Sequence, residues 1–194
     1  MVAGIKITND FGTTLIDDTS PALALRQKIT ATSVYLGLAE LYAATVAKTS
    51  DFKSPVFAVS SPNKFYIYGS TLGAGYATSG VLTTFSGLNF DFYHFDYPLT
   101  TLGKVGMELK NSAGEVMFNS SQKAAIVYDT VILGPSNSWT ATKTYPAGKR
   151  FAVIAIGVWC RVVNNIVYFE GRDETRTYKP TGNVSALVID ITAL

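Results

Sequence analysis

One stretch of sixteen residues occurs twice in this chain, and that repeat constrains its folding more than any other feature. Gly4 to Thr19 read GIKITNDFGTTLIDDT, and Gly106 to Ser121 read GMELKNSAGEVMFNSS. The copies align without a gap. Gly4, Asn9 and Gly12 fall on Gly106, Asn111 and Gly114, while Ile5, Ile7, Leu15 and Ile16 fall on Met107, Leu109, Met117 and Phe118. Each copy is a short strand, a four-residue turn and a second strand. Asn at the first turn position and Gly at the last are the residues favoured by a type I turn that ends in a left-handed glycine. A duplicated hairpin predicts two related β modules, one over about residues 1–100 and one over 101–194, or a single domain built from both.

The remaining signals point to an all-β chain of mainly antiparallel sandwich or barrel modules. Runs at 55–59, 64–68, 88–97, 123–133, 151–163, 166–170 and 184–191 carry strand composition, separated by turn residues at the spacing of a sandwich or barrel. Phe151 to Val163 is a long apolar run, which predicts a strand buried on both faces. It ends at Asn164-Asn165, a pair suited to the positive φ angles of a two-residue hairpin. Residues 22–48 are ambiguous. Leu38, Leu41, Tyr42 and Thr45 have helical spacing, so one short helix is an option there, whereas Val34, Leu36 and Leu38 alternate like a strand. Residues 69–80 read as a mobile loop or distorted edge, and 171–182 as an exposed loop.

Composition narrows the function classes. Charged residues are only 15% of the chain, below the roughly 25% usual for soluble domains. That profile suits a β-rich protein whose flanks are covered by neighbours, or a compact sandwich with a Ser- and Thr-rich surface. The net charge of +2 carries no basic cluster, so no nucleic-acid partner is expected. No apolar run reaches the roughly 20 residues of a membrane-spanning helix, and the N-terminus has no secretory apolar region. Synthesis in the cytoplasm and no membrane insertion are therefore expected. The single cysteine, Cys160, lies in an apolar run and reads as a buried, inert thiol.

Catalytic chemistry finds little purchase. The one histidine, His94, shares a strand face with Asp96, a pair that does occur in active sites but that also suits a packed, hydrogen-bonded core histidine. Two such ligands fall short of a zinc site, and Gly73-Ala74-Gly75 lacks the third glycine of a dinucleotide loop. No enzyme, cofactor, catalytic residue or metal site is expected. In the aromatic strand, Phe90, Phe92, His94 and Asp96 face one way and Asp91, Tyr93, Phe95 and Tyr97 the other. Tyr66, Tyr68, Tyr93 and Tyr97 are the candidate ligand or interface aromatics, as a platform for sugar rings, with sheet packing as the plainer reading.

The duplicated hairpin, with Gly4, Ile5, Ile7, Asn9 and Gly12 in its first copy, resembles the opening motif of small structural proteins of tailed bacteriophages, encoded among tail-tip and tail-fibre genes. The hairpin Trp159 to Phe169 is similar in layout to one in such proteins. The resemblance covers about a third of the chain and implies a virion tail protein that works by assembly. Its implied partners are other copies of itself and other tail proteins. A receptor- or carbohydrate-binding module and a capsid decoration protein are the alternatives.

Overall fold

The computed structural model describes residues 7–8, 14–16, 22–36, 41–47, 52–53, 55–68, 78–99, 106–133, 140–155, 158–170 and 184–194. Among them every regular element is a strand. In chain order these are β1 (Ile7–Thr8), β2 (Thr14–Ile16), β3 (Ala24–Thr32), β4 (Val34–Tyr35), β5 (Tyr42–Ala47), β6 (Val56–Ser60), β7 (Phe65–Tyr68), β8 (Thr78–Thr83), β9 (Asn89–Asp96), β10 (Glu108–Lys110), β11 (Val116–Asn119), β12 (Ile126–Leu133), β13 (Thr140–Thr144), β14 (Phe151–Ala155), β15 (Trp159–Val163), β16 (Ile166–Glu170) and β17 (Val184–Asp190). All pairings are antiparallel.

The two copies of the motif fold as the same hairpin. Ile7 pairs with Ile16 and Thr8 with Thr14; at the aligned positions Leu109 pairs with Phe118 and Lys110 with Val116. The register shifts at the same step in both, between Ile7 and Thr8 and between Leu109 and Lys110. In the second turn Gly114 has φ +80°, and Asn111 Oδ1 accepts hydrogen bonds from the amides of Ala113 (3.0 Å) and Glu115 (2.9 Å). Asn supplies the acceptor and Gly the left-handed backbone, so local chemistry alone specifies this turn.

The repeat extends beyond the hairpins. A six-stranded sheet has the order β12-β17-β14-β6-β9-β3, and a seven-stranded sheet the order β13-β16-β15-β7-β8-β5-β4. Read inward from either end, each sheet has the same connectivity, β4 excepted. After its hairpin, each half lays an edge strand in the first sheet (β3, β12) and one in the second (β5, β13). Two inner strands follow (β6 and β7, or β14 and β15), then the two middle strands (β8 and β9, or β16 and β17). The halves meet through the inner strands, at Val59–Val153 in one sheet and at Phe65–Cys160 and Tyr66–Trp159 in the other. Antiparallel joining of equivalent strands is what an internal two-fold relation requires. The stretches expected as separate modules are thus two equivalent half-sandwiches that share both sheets.

The core follows the sheets. Inward side chains of both sheets, including Phe57, Val59, Phe90, Phe92 and Val153 from the first and Phe65, Ile67, Cys160 and Phe169 from the second, form one buried cluster across the halves. A second cluster lies on the other face of the six-stranded sheet, with Ala58, Tyr93, Phe95, Ala152 and Ile189. It is roofed by Leu23, Leu25 and Ala125, where the starts of the two edge strands meet. Leu25 N donates to Lys123 O and Ala125 N to Leu23 O, each at 2.7 Å, and Ala24 bridges Ala124. The six-stranded sheet therefore closes on itself at this end and buries both faces of β9. That explains the density of aromatics in Asn89–Asp96.

Two sequence expectations need correction. Among the described residues of 22–48 the regular elements are strands (β3, β4 and β5), with no helix; 37–40 and 48 lie outside the described residues. Of the residues with helical spacing, Tyr42 and Thr45 pair with Thr83 and Gly80 of β8, a tertiary contact that outweighs that spacing and buries Ala43, Ala44 and Val46; Leu38 lies outside the described residues. Phe151 to Val163 is not one strand. It serves the first sheet as β14 and the second as β15, and it is apolar because both pieces line the core between the sheets. The two-residue hairpin at Asn164-Asn165 is as expected, with Val163 paired with Ile166, but of the pair only Asn164 takes a positive φ, at +56°. Of the two segments read as loops, Thr78–Gly80 belong to β8, and 69–77 and 171–182 lie outside the described residues.

Because both halves share one core, Phe57→Ala, at a fully buried site beside the junction, is expected to cost about 3–5 kcal/mol. Urea unfolding followed by near- and far-UV circular dichroism should show one coincident transition for parent and variant. Two separated transitions would mean that the halves unfold independently.

Candidate functional site

The aromatics expected to form a platform are divided between the two sheets, Tyr66 and Tyr68 on β7 and Tyr93 on β9. Tyr66 lies half-buried in the seven-stranded sheet, its ring 5.6 Å from that of Trp159. Tyr93 is buried in the second core cluster of the other sheet. Tyr97 follows β9, with Lys53 Nζ 5.7 Å from its ring centre and its carbonyl accepting a hydrogen bond from Arg26. Tyr68 contributes backbone to β7, and its side chain lies outside the described residues.

His94 and Asp96 are both fully buried. The imidazole Nδ1 lies 2.9 Å from Gln27 Oε1, and the rings of Phe52 and Phe57 meet it edge-on at 5.9 and 6.0 Å. Asp96 Oδ2 accepts a hydrogen bond from the Lys53 amide at 2.6 Å, tying the segment before β6 to β9. These are packing and tethering roles. Cys160 is buried in the main core, and burial pushes its thiol well above the usual cysteine range, so it stays protonated and unreactive at neutral pH.

Two features were not anticipated. The first is an open groove of about 550 Å³, lined by the β6–β7 turn, the end of β8 and strands β13, β15 and β16. Within it Lys64 Nζ binds Glu170 at 2.8 Å and lies 5.3 Å from the Trp159 ring centre, while the Arg161 guanidinium sits 4.1 Å from that of Tyr168. Thr84, Thr140 and Thr142 also line it, while the Thr83 hydroxyl donates to the Lys64 carbonyl at 3.0 Å. The cations already cover aromatic faces here, so the groove is more polar than its ring content implies.

The second feature is the free edge of the six-stranded sheet. Among the described residues β12 pairs along its length only with β17. Ile132 is 71% exposed, Ile126 57% and Val127 52%. The only charged side chain of β12, Asp129, accepts a hydrogen bond from the Tyr145 hydroxyl at 3.0 Å. Burial, followed by this bond and the carboxylate charge, raises the Tyr145 phenol above the usual tyrosine range. The equivalent edge, β3, is built differently. It carries Arg26, stacked 5.4 Å from the Phe52 ring centre, and Lys28, 5.0 Å from that of Tyr93, along with Gln27, Thr30 and Thr32. Cations on an edge strand are a common guard against unwanted strand pairing. β3 has that guard and β12 lacks it. The sequence signal was present in IVYDTVIL against ALRQKITAT, but it has meaning only once both are known to be edges.

No family model, curated protein or solved structure matches this chain.

Next to β12, Asp190 pairs across from Ile126 and receives Lys149 Nζ at 2.7 Å and the Thr192 amide at 2.9 Å. Burial alone would raise the Asp190 carboxyl, but hydrogen bonds from Lys149 and Thr192 outweigh it and hold the carboxyl below its ordinary range. A depressed folded value means that the unfolded chain binds the proton more readily. The contribution of this charge is therefore complete above the unfolded value of about 4 and is lost as pH falls through the lower folded value. Urea midpoints measured between pH 6 and pH 2.5 should drop on this acid limb, and Asp190→Asn should flatten it. An unchanged limb in the variant would assign acid sensitivity to other carboxylates.

Proposed function

We propose that this chain is a structural component of a tailed-phage virion, a tail-tip or fibre-associated protein that acts by oligomeric assembly. The observation that carries this reading is the unguarded apolar edge of β12 in a chain with only 15% charged residues. An open edge of this kind is a hazard in a free monomer and is useful to a protein whose function is to be covered by a neighbour. Val34 and Tyr35 of β4, on the edge of the other sheet at the opposite end, are also exposed. The duplicated hairpin, from which the likeness to phage structural proteins came, adds support because it is a building plan and involves no reactive group. The groove favours a second reading, a receptor- or carbohydrate-binding module, since its volume lies in the range of small-ligand sites.

Light scattering on a sizing column should give a mass above the 20.9 kDa of one chain. The purified protein should also co-sediment with purified phage tails in preference to heads. Retention on heads instead would transfer the reading to capsid decoration. A monomer that ignores both would leave the binding-module reading in place.

A further inference from the structure

Resting on the ligand-binding reading of the groove, and independent of assembly, we propose that the groove binds an acidic saccharide, with Arg161 taking the carboxylate and Phe85 the sugar ring. Strand register builds the floor. Arg161 pairs with Tyr168 and Tyr168 with Thr142; two residues along each strand, Trp159 pairs with Glu170 and Glu170 with Thr140. Residues two apart share a face, so these six stand on the side of the seven-stranded sheet away from the core, and all six line the groove. Between them, Cys160, Phe169 and Ala141 pack into the core.

The charges of the groove leave one cation over. Lys64 and Glu170 cancel as an ion pair at 2.8 Å. Arg161 is exposed, and among the described residues no carboxylate lies within ion-pair distance of it. Its guanidinium sits over the Tyr168 ring, which occupies one face and leaves the in-plane N–H donors to a planar acceptor. Among the described residues no other charged side chain lines the groove, so its excess is a single positive charge. A carboxylate balances that charge. A phosphate, close to two negative charges at neutral pH, would leave one unbalanced beside Glu170.

Phe85 and the threonines point to a sugar. Of the aromatic side chains lining the groove, Trp159 and Phe169 are buried and Tyr168 lies under Arg161, but Phe85 is 66% exposed. Its turn is tied down by the buried Ser33. Ser33 Oγ donates to the Phe85 carbonyl at 2.8 Å and accepts from the Leu88 amide at 3.0 Å, and the Ser33 carbonyl accepts from the Gly87 amide at 2.9 Å. Gly87, at φ +74°, lets the chain close this turn. An exposed ring on a tied turn offers a flat apolar face to the C–H side of a sugar at little ordering cost. Thr84, Thr140 and Thr142, all exposed, supply the donors and acceptors that sugar hydroxyls need.

The full chain would be titrated calorimetrically with digalacturonate and sialyllactose, and with digalactose and lactose as their uncharged counterparts. An acid should bind at least about tenfold more tightly than its counterpart, the effect of one charge-assisted pair. Arg161→Gln should abolish that preference, and Phe85→Ala should weaken acid and neutral sugar alike, both with the parent's melting curve because both side chains are exposed. Glu170→Gln, which releases Lys64, should tighten the acid further. Equal binding of acid and neutral sugar, a preference that survives Arg161→Gln, or affinities unmoved by Phe85→Ala overturns the acidic-saccharide site and leaves ligand binding standing. A parent that binds none of the four sugars overturns both.

Discussion

Val59 and Val153 face each other at the middle of the six-stranded sheet, and the neighbouring pairs Phe65–Cys160 and Tyr66–Trp159 join the other sheet. Everything else depends on these few backbone contacts. They convert two three-strand ribbons into one six-stranded sheet, continue the second sheet across the same line, and bring Phe57, Val59, Val153 and Phe169 into one buried core. Neither half could bury its inner strands alone: without the other, β6 and β14 would each be an edge. The burial of aromatic and branched side chains along this line, each contributing on the order of 1.5–3 kcal/mol, is what offsets the ordering of so many separate strands.

The closed end of the six-stranded sheet is a second consequence. Once β3 and β12 occupy opposite edges, the sheet's curl lets their starts bond over one face, and Leu23, Leu25 and Ala125 seal that face. Equivalent positions in the halves then diverge with their surroundings. His94 stands opposite Phe57 and Asp190 opposite Phe151, so one register position carries an imidazole bonded to Gln27 and its counterpart a carboxylate bonded to Lys149. Duplication supplied the frame, and local partners decided the chemistry of each site.

What could be read from the sequence was whatever is specified locally. The hairpin turn with Asn111 and Gly114 and the Asn164 turn follow from side-chain hydrogen bonding and positive φ within a few residues. The all-β class follows from the repeated strand and turn signals. The break in Phe151–Val163 was not legible, because a strand buried in one sheet and its successor buried in another have the same apolar composition. The strands of 22–48 were ambiguous because Leu41, Tyr42 and Thr45 have helical spacing while Val34 and Leu36 alternate, and only the pairing of β5 with β8 decides between them. The aromatics were visible, but whether Tyr93 is core or surface depends on the roof that Leu23 and Ala125 provide. The β12 edge and the groove arise from strand order, which depends on contacts far apart in the chain.

The central junction also has a consequence in time. A ribosome delivers the first half with β6 and β7 complete but their inner edges bare, and the strands that cover them, β14 and β15, lie most of a half-chain further on. At about 5–20 residues per second, that interval is on the order of ten seconds. During it, VFAVS and FYIY, two uncharged stretches of strand-forming residues, must avoid every partner except the one not yet made. The nascent chain, more than the finished protein, is where this architecture is most vulnerable to aggregation.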